Sequence, residues 1–172
     1  MVFLERVKSV MISEIDIADL IKKENVVVTL THGGYIKRMP VSEYKAQHRG
    51  GMGVSAHKTK EEDFVESIYV TSTHDDLFCF SNKGKVYTMK AYEIPEAQKQ
   101  AKGRAFVNLL QLDQDERITT IIPIADKSSG YLMMSTKYGM IKKTKLEEFA
   151  SIRKNGKIAI KLNEGDELIS VY

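Results

Sequence analysis

The sequence has one cysteine, no tryptophan and no apolar run long enough to cross a membrane. A single cysteine excludes an internal disulfide and suits a reducing compartment. The apolar run Leu77–Phe80 around Cys79 predicts a small buried side chain in a strand, not a reactive thiol. The first residues also lack the charged lead and long apolar stretch of a signal peptide. We therefore expect a cytoplasmic protein with no membrane partner.

Motifs for catalysis and metal binding are missing as well. The four histidines, His32, His48, His57 and His74, do not have the spacing of metal ligands. No glycine loop continues into the Gly-Lys-Ser/Thr of a Walker A motif, and no zinc-finger spacing occurs. The acidic clusters fall in predicted turns and are interpreted as solvated charge. We expect no catalytic residue, no metal site and no cofactor in this chain.

A short pattern does occur three times. Each copy has an apolar strand, a turn closed by glycine and a second strand that carries basic side chains. The closing glycines Gly34, Gly84 and Gly139 lie roughly fifty residues apart, which is typical of propeller blades and other stacked arrays. The spacing favours a type I turn that ends on a glycine in the left-handed region.

Each copy predicts four short strands and almost no helix, which is the composition of a propeller blade. A second glycine (Gly51, Gly103, Gly156) precedes the predicted third strand, which we place at Phe106–Leu110 and Ile158–Ile160. The fourth strands are predicted at Val65–Val70, Ile118–Ile122 and Leu168–Val171.

The predicted organisation is all-β, with a lead-in segment over 1–25 and a partial β-pinwheel over 26–172. Its four-stranded antiparallel blades, called modules one, two and three below, cover about 26–76, 77–130 and 131–172. A short helical turn is predicted within Asp16–Lys23. Because propellers normally close to protect their sheet edges, we expect three blades to be a piece of a longer protein.

The net charge is only +3, but its distribution is more informative than its size. Basic residues follow each closing glycine, and acidic residues collect before each predicted fourth strand. The alternation keeps step with the repeat. If the modules are arranged alike, the basic segments lie on one side and the acidic segments on another.

Module one alone carries a loop with three glycines around an arginine, Gln47-His48-Arg49-Gly50-Gly51-Met52-Gly53. Bare backbone N–H groups and a guanidinium at one point suit a phosphate. The glycines can equally serve a sharp bend in the chain, and the residues alone leave both interpretations open.

This loop resembles the signature box Q-R-R-G-G-K-G at the start of the C-terminal domain of the DNA gyrase A protein. Ile15–Ile21, Thr31–Arg38, Tyr92–Ala97 and Asn108–Leu112 are also similar to that domain, as is the stretch from Leu146 to Gly156. Two positions of the box depart from the family, because His48 and Met52 replace basic residues. The family's domain is a six-bladed pinwheel, of which this chain supplies about three blades.

The resemblance implies that duplex DNA wraps around a basic rim, so that an ATP-dependent type II topoisomerase introduces negative supercoils. The partners implied are DNA, the rest of the gyrase A protein and the gyrase B protein in an A2B2 complex, with ATP and Mg²⁺ used elsewhere in that enzyme. The box Gln47–Gly53 completes the wrap. The rim contacts implied are Lys37, Arg38, Lys83, Lys85, Lys102, Arg104, Lys137, Lys142, Lys143, Arg153, Lys154 and Lys157, with Tyr35 and Tyr87 as candidate rim aromatics.

Two other interpretations stay open. The chain is also compatible with the C-terminal domain of the topoisomerase IV protein that is paralogous to gyrase A, in which the box is not intact. A propeller used as a protein-interaction module would instead show exposed apolar or acidic surfaces and no salt-sensitive affinity for DNA.

Overall fold

The computed structural model describes residues 17–45 and 63–172 of the chain, and these form three small antiparallel sheets. The all-β propeller class predicted from the repeat is confirmed. The strands are β1 (Asn25–Thr31), β2 (Tyr35–Pro40), β3 (Val65–Ser72), β4 (Asp76–Ser81), β5 (Lys85–Lys90), β6 (Arg104–Ala105), β7 (Ile118–Ile124), β8 (Tyr131–Thr136), β9 (Ile141–Lys145), β10 (Lys157–Ile158) and β11 (Leu168–Val171).

Helical structure within the described ranges is limited to single turns. The one α-helix there, Val41–Lys45, has five residues. The 3₁₀ helices are Ile17–Leu20, Ala91–Glu93, Phe106–Asn108 and Leu146–Phe149. Three of these turns directly follow the second strand of a module, where the sequence indicated irregular structure.

The three predicted glycine turns are present. The Gly34 N–H donates to the Thr31 carbonyl at 2.9 Å, and the Thr31 hydroxyl accepts the Tyr35 N–H at 3.1 Å. In modules two and three, the carbonyl and hydroxyl oxygens of Ser81 and Thr136 accept the two equivalent N–H groups of the turn. The closing glycines have φ of +78°, +75° and +85°, a region that a side chain disfavours.

The third strands of modules two and three do not join the sheets of their own modules. The sheet orders are β3-β1-β2-β6, β10-β5-β4-β7 and β11-β8-β9. Strand β6 of module two therefore completes the sheet of module one, with Tyr35 opposite Ala105. Strand β10 of module three completes the sheet of module two in the same way, with Val86 opposite Lys157.

The predicted strand at Phe106–Leu110 is wrong. Pairing ends at Ala105 because Phe106 turns inward, where it is 3% exposed in the core. Its N–H donates to the Gly34 carbonyl at 3.0 Å, and the Leu109 N–H donates back to the Phe106 carbonyl at 2.9 Å. The strand predicted at Ile158–Ile160 is shortened likewise, because the N–H groups of residues 159 and 160 both donate to the carbonyl of residue 84.

The hydrophobic core lies in two clusters, and each cluster spans two modules. In the first, Val28 and Ile36 of module one share a cluster with Ile118 and Ile121 of module two. In the second, Phe78, Phe80 and Val86 of module two share a cluster with Leu168 and Val171 of module three. Burial between neighbours therefore stabilises the modules together. Cys79 is buried as predicted, and burial raises the pKa of its thiol to about 12.

A lysine of module one is also buried by module two. The Lys37 ammonium donates to the carbonyl oxygens of Gln98 at 3.0 Å and Ala101 at 2.7 Å, and to that of Lys99. Only 7% of Lys37 is exposed, and burial lowers its pKa from the ordinary value. The three carbonyls replace the hydration that the charge loses.

Gly103 lies where the chain passes from module two to the sheet of module one, and replacing it is expected to destabilise the fold. Gly103 and Gly139 both have φ of +85°, but a Cβ at Gly103 would lie 2.6 Å from the Ile36 carbonyl oxygen, whereas one at Gly139 meets nothing within 4 Å. Gly139→Ala should lower the free energy of unfolding by about 1 kcal/mol. Gly103→Ala should cost a further 1–3 kcal/mol, roughly, from the forced backbone shift. Urea titrations measure both, and equal losses would contradict the close packing.

A matched pair of lysines tests the buried ammonium. Lys37 and Lys142 each lie three residues after a closing glycine, but Lys142 is exposed. Lys37→Met leaves three carbonyls without a charged donor and should lower the free energy of unfolding by about 2 kcal/mol. Lys142→Met should change it by about 0.5 kcal/mol or less. A Lys37→Met variant as stable as the Lys142→Met variant would refute the role given to the three carbonyls.

Candidate nucleic-acid interface

The basic residues predicted on the rim fall into groups with different surroundings. Nine of the twelve are exposed, Arg38 and Lys85 are half-buried, and Lys37 is buried. The exposed nine all belong to modules two and three: Lys83, Lys102, Arg104, Lys137, Lys142, Lys143, Arg153, Lys154 and Lys157.

The two predicted rim cations of module one lie between modules. Lys37 is held by the three carbonyls described above. Arg38 donates from Nε to the Ile94 carbonyl at 2.8 Å and from Nη1 to the Glu96 carboxylate at 2.8 Å. Its side chain is 15% exposed. Both side chains therefore bind groups of module two, and both are less exposed than the nine.

Two of the exposed nine are held over tyrosine rings. The Lys102 ammonium lies 4.0 Å from the centroid of Tyr35, and the Lys143 ammonium lies 4.2 Å from that of Tyr131. A cation over a ring face is attracted by the ring's quadrupole and keeps most of its solvent contact. Such lysines are positioned in advance without losing their charge to a carboxylate. Tyr35, a candidate rim aromatic, thus lies beside one of the exposed nine.

Tyr87, the other candidate aromatic of the rim, is buried. It is 1% exposed, and its hydroxyl donates to the Glu116 carboxylate at 2.8 Å. Burial and the neighbouring carboxylate raise the pKa of Tyr87 above its ordinary value. Its place in the repeat is that of Lys37, three residues after a closing glycine, and its ring packs closely against Gly156 of module three.

Other lysines have weak local partners. Lys142 donates to the Ala159 carbonyl at 2.7 Å, and Lys83 and Lys157 donate to other backbone carbonyls. Lys85 pairs with Asp113, and this hydrogen bond holds the pKa of the Asp113 carboxyl below its usual range. Because ion pairs at such exposure contribute little, these cations can exchange partners at low cost.

Four cations have more freedom. Over the described ranges, Arg104, Lys137, Arg153 and Lys154 have no side-chain hydrogen bond or ion pair, and all are exposed. Arg104, Arg153 and Lys154 lie close to a second glycine, Gly103 or Gly156, where the chain passes to the preceding sheet. Three of the four least engaged cations therefore lie where the chain passes from one sheet to another.

Sequence reasoning missed a structural role for the acidic residues. The Asp63 carboxylate accepts the Gly33 N–H and the Thr31 hydroxyl, both at 2.6 Å. Both hydrogen bonds lower the pKa of the Asp63 carboxyl, and the bond from the Thr31 hydroxyl has the larger effect. In module three, Asp166 accepts the Tyr138 N–H at 2.9 Å and so supports the equivalent turn.

The signal was present in the spacing. Asp63, Glu116 and Asp166 each lie two residues before the fourth strand of a module. Glu116 and Asp166 are nearly fully buried, so they are not solvated charges. In modules one and three this residue accepts an N–H of the glycine turn, whereas Glu116 accepts the Tyr87 hydroxyl and the Asp113 N–H.

The box Gln47, His48, Arg49, Gly50, Gly51, Met52 and Gly53 lies outside the described residues. Among residues 17–45 and 63–172, no group of three or more His, Cys, Asp or Glu side chains is placed to hold a metal ion. In the same part of the chain, none of the helices has the length and apolar character needed to cross a membrane.

Comparison with known families covers all three modules. The sequence profile of the DNA gyrase C-terminal domain, a β-propeller, matches residues 25–72, 75–125 and 130–172. The chain is 54% identical over 160 residues to the DNA gyrase A protein of Escherichia coli K12, and equally identical to that of Clostridium acetobutylicum. These alignments cover 92% of the chain but only 18% and 19% of those proteins.

Solved structures agree with the profile. The C-terminal domain of DNA topoisomerase IV superposes with a TM-score of 0.71 at 30% identity, over 88% of this chain and 46% of that one. The DNA gyrase A C-terminal domain superposes with a TM-score of 0.63 at 37% identity, over 86% and 47%. The resemblance noted from the sequence is confirmed, and the chain belongs to the DNA gyrase C-terminal domain family of β-propellers.

Proposed function

We propose that this chain binds duplex DNA without reading its sequence and bends it along the exposed cations of modules two and three. The observation that carries the proposal is the recurrence of exposed, weakly engaged lysines and arginines at the two strand crossovers. Phosphate contacts position DNA but carry no base information, so a row of cations on β-structure suits this task. The contact set proposed is the exposed nine, with Lys85 beside them.

The free-energy cost of bending DNA favours many contacts of moderate strength over a few strong ones. Bending a DNA segment of site length costs on the order of several kcal/mol, so no single cation can hold it. Lys102 and Lys143, held over tyrosine rings, lose less side-chain freedom on binding DNA than a mobile lysine does. Lys37 and Arg38 contribute by fixing module two against module one.

The larger assembly follows from the relatives. The chain spans less than a fifth of the length of the gyrase A proteins that it matches. We propose that it acts as part of a DNA gyrase A protein, together with the gyrase B protein in an A2B2 complex. There, wrapping would direct ATP-dependent strand passage towards negative supercoiling. ATP, Mg²⁺ and the catalytic residues would belong to other parts of that enzyme.

A second candidate is the C-terminal domain of topoisomerase IV. The higher TM-score to that enzyme's domain favours it, whereas the 54% identity to gyrase A proteins favours gyrase. Identity over 160 residues is the more specific signal, because the two C-terminal domains share one fold. The glycines of the box and Arg49 also support gyrase.

The salt dependence of DNA binding tests the contact set. Replacing Arg104, Arg153 and Lys154 together by alanine should make the slope of log K against log salt shallower by about 0.9 for each phosphate no longer neutralised, hence by about 3. Lys22 and Lys23 precede β1, and Lys127 pairs with Asp76, so all three lie outside the proposed contact set. Replacing these three by alanine gives a control with the same net charge, which should keep the slope. Fluorescence anisotropy with a random duplex measures both. Equal changes in the two variants, or no binding at low salt, would contradict the proposal.

The box allows a separate test of wrapping. Replacing Gln47–Gly53 by alanine should reduce the writhe trapped per bound protein more than the affinity, because the other cations remain. The assay relaxes a plasmid with a nicking-closing topoisomerase in the presence of the protein and reads the linking number. If affinity collapses while writhe per bound protein stays unchanged, the box is an anchoring site and not a wrapping element. Binding without any writhe would favour the topoisomerase IV alternative.

A further inference from the structure

The two short strands that pass to a neighbouring sheet each lie at the outer edge of that sheet. Among the described strands, β6 is the last in the order β3-β1-β2-β6, and β10 has the same place beside β5. Successive N–H groups of a strand point to opposite sides, so an outer strand uses only every second N–H group for pairing. The other N–H groups face away from the sheet and have to bind water or a ligand.

Hydrogen bonds at the first glycine turn show which N–H group of β6 faces outward. The Phe106 N–H donates inward to the Gly34 carbonyl at 3.0 Å. Ala105 precedes it and lies opposite Tyr35, whose own N–H donates to the Thr31 hydroxyl at 3.1 Å. Tyr35 and Ala105 are therefore a pair without mutual hydrogen bonds, and the Ala105 N–H points away from β2.

The same arrangement occurs in β10. The Ala159 N–H donates to the Gly84 carbonyl at 2.9 Å. Ile158 lies opposite Lys85, whose N–H donates to the Ser81 hydroxyl at 3.3 Å. The Ile158 N–H therefore points away from β5. Ile158 is 61% exposed, so solvent reaches this edge.

Each outward N–H group follows a cation in the sequence. Arg104 directly precedes Ala105, Lys157 directly precedes Ile158, and both cations are exposed. A cation attracts an anion, and a fixed N–H group beside it adds a directed hydrogen bond, so the two together suit a phosphate oxygen. Each strand has only two residues, which is too short an edge to pair well with an added strand of another protein.

We infer that the backbone N–H groups of Ala105 and Ile158 bind phosphate oxygens of duplex DNA. This inference rests on the proposed function and adds an uncharged contact to its cations. Backbone N–H groups are regular phosphate donors in protein–DNA complexes and carry no base information. Because the sheet fixes these two donors before DNA binds, they lose no side-chain freedom on binding, whereas a lysine does.

Proline at position 105 removes one of these donors with little change to the backbone. Ala105 has φ of −67° and ψ of 135°, which a proline can adopt. Ala105→Pro should weaken binding to a random duplex about tenfold, because a hydrogen bond to a charged group is lost. Ala105→Val is the matched control, because it adds a side chain of similar size and keeps the N–H group. It should bind like the wild type, and circular dichroism verifies that both variants are folded.

Salt dependence separates this donor from the cation beside it. An N–H group releases no counterion, so Ala105→Pro should leave the slope of log K against log salt unchanged, whereas Arg104→Ala should make it shallower by about 0.9. Equal affinities of the proline and valine variants, with wild-type binding intact, would overturn this inference alone. A wild-type chain that does not bind duplex DNA at low salt would overturn the proposed function, and this inference with it.

Amide hydrogen exchange of the wild-type chain, followed by NMR, is a second test that needs no variant. The N–H groups of Ala105 and Ile158 should exchange fast in the free chain and at least about tenfold more slowly in the DNA complex. Those of Phe106 and Ala159, which are already paired, are internal controls and should change less. Unchanged exchange at residues 105 and 158 in the saturated complex would overturn the inference. Slow exchange in the free chain would mean that another strand pairs with this edge, and would overturn it too.

Discussion

Apolar burial between successive modules is the interaction on which the rest of the structure depends. Neither core cluster lies within one module, because Ile36 and Val86 each share their cluster with residues of the module that follows. A four-stranded sheet of this size has too little interior to be stable by itself. The short strands β6 and β10 add backbone hydrogen bonds at the same junctions, so packing and pairing reinforce each other.

Local signals in the sequence were sufficient for the repeat, the glycine turns and the first, second and fourth strands. Those elements are specified by residues close in sequence, such as Gly34 with Thr31. The third strand was misplaced because its partner lies in another module. Phenylalanine is common in strands, but Phe106 packs inward in the first core cluster. The pairing therefore ends at Ala105.

In the candidate site, too, some features follow from nearby sequence and others depend on contacts between modules. Charge in step with the repeat identified the exposed lysines and arginines of modules two and three. The charge pattern could not show that Lys37 is buried and Lys142 exposed, because both are lysines three residues after a closing glycine. What separates them is whether a following module supplies carbonyl oxygens, and this depends on tertiary structure. The repeated position of Asp63 before a fourth strand marks a role, but its partners, the Gly33 N–H and the Thr31 hydroxyl, are set by the tertiary structure.

The exchange of strands between modules has a consequence for the order of events during synthesis. Arg104 and Ala105 complete a sheet whose other strands end at Pro40 and Ser72, so the first sheet waits for chain that leaves the ribosome later. Closing contacts over such separations costs loop entropy before any burial is gained. We therefore expect the sheets of modules one and two to be completed only after the module that follows each of them has been synthesised.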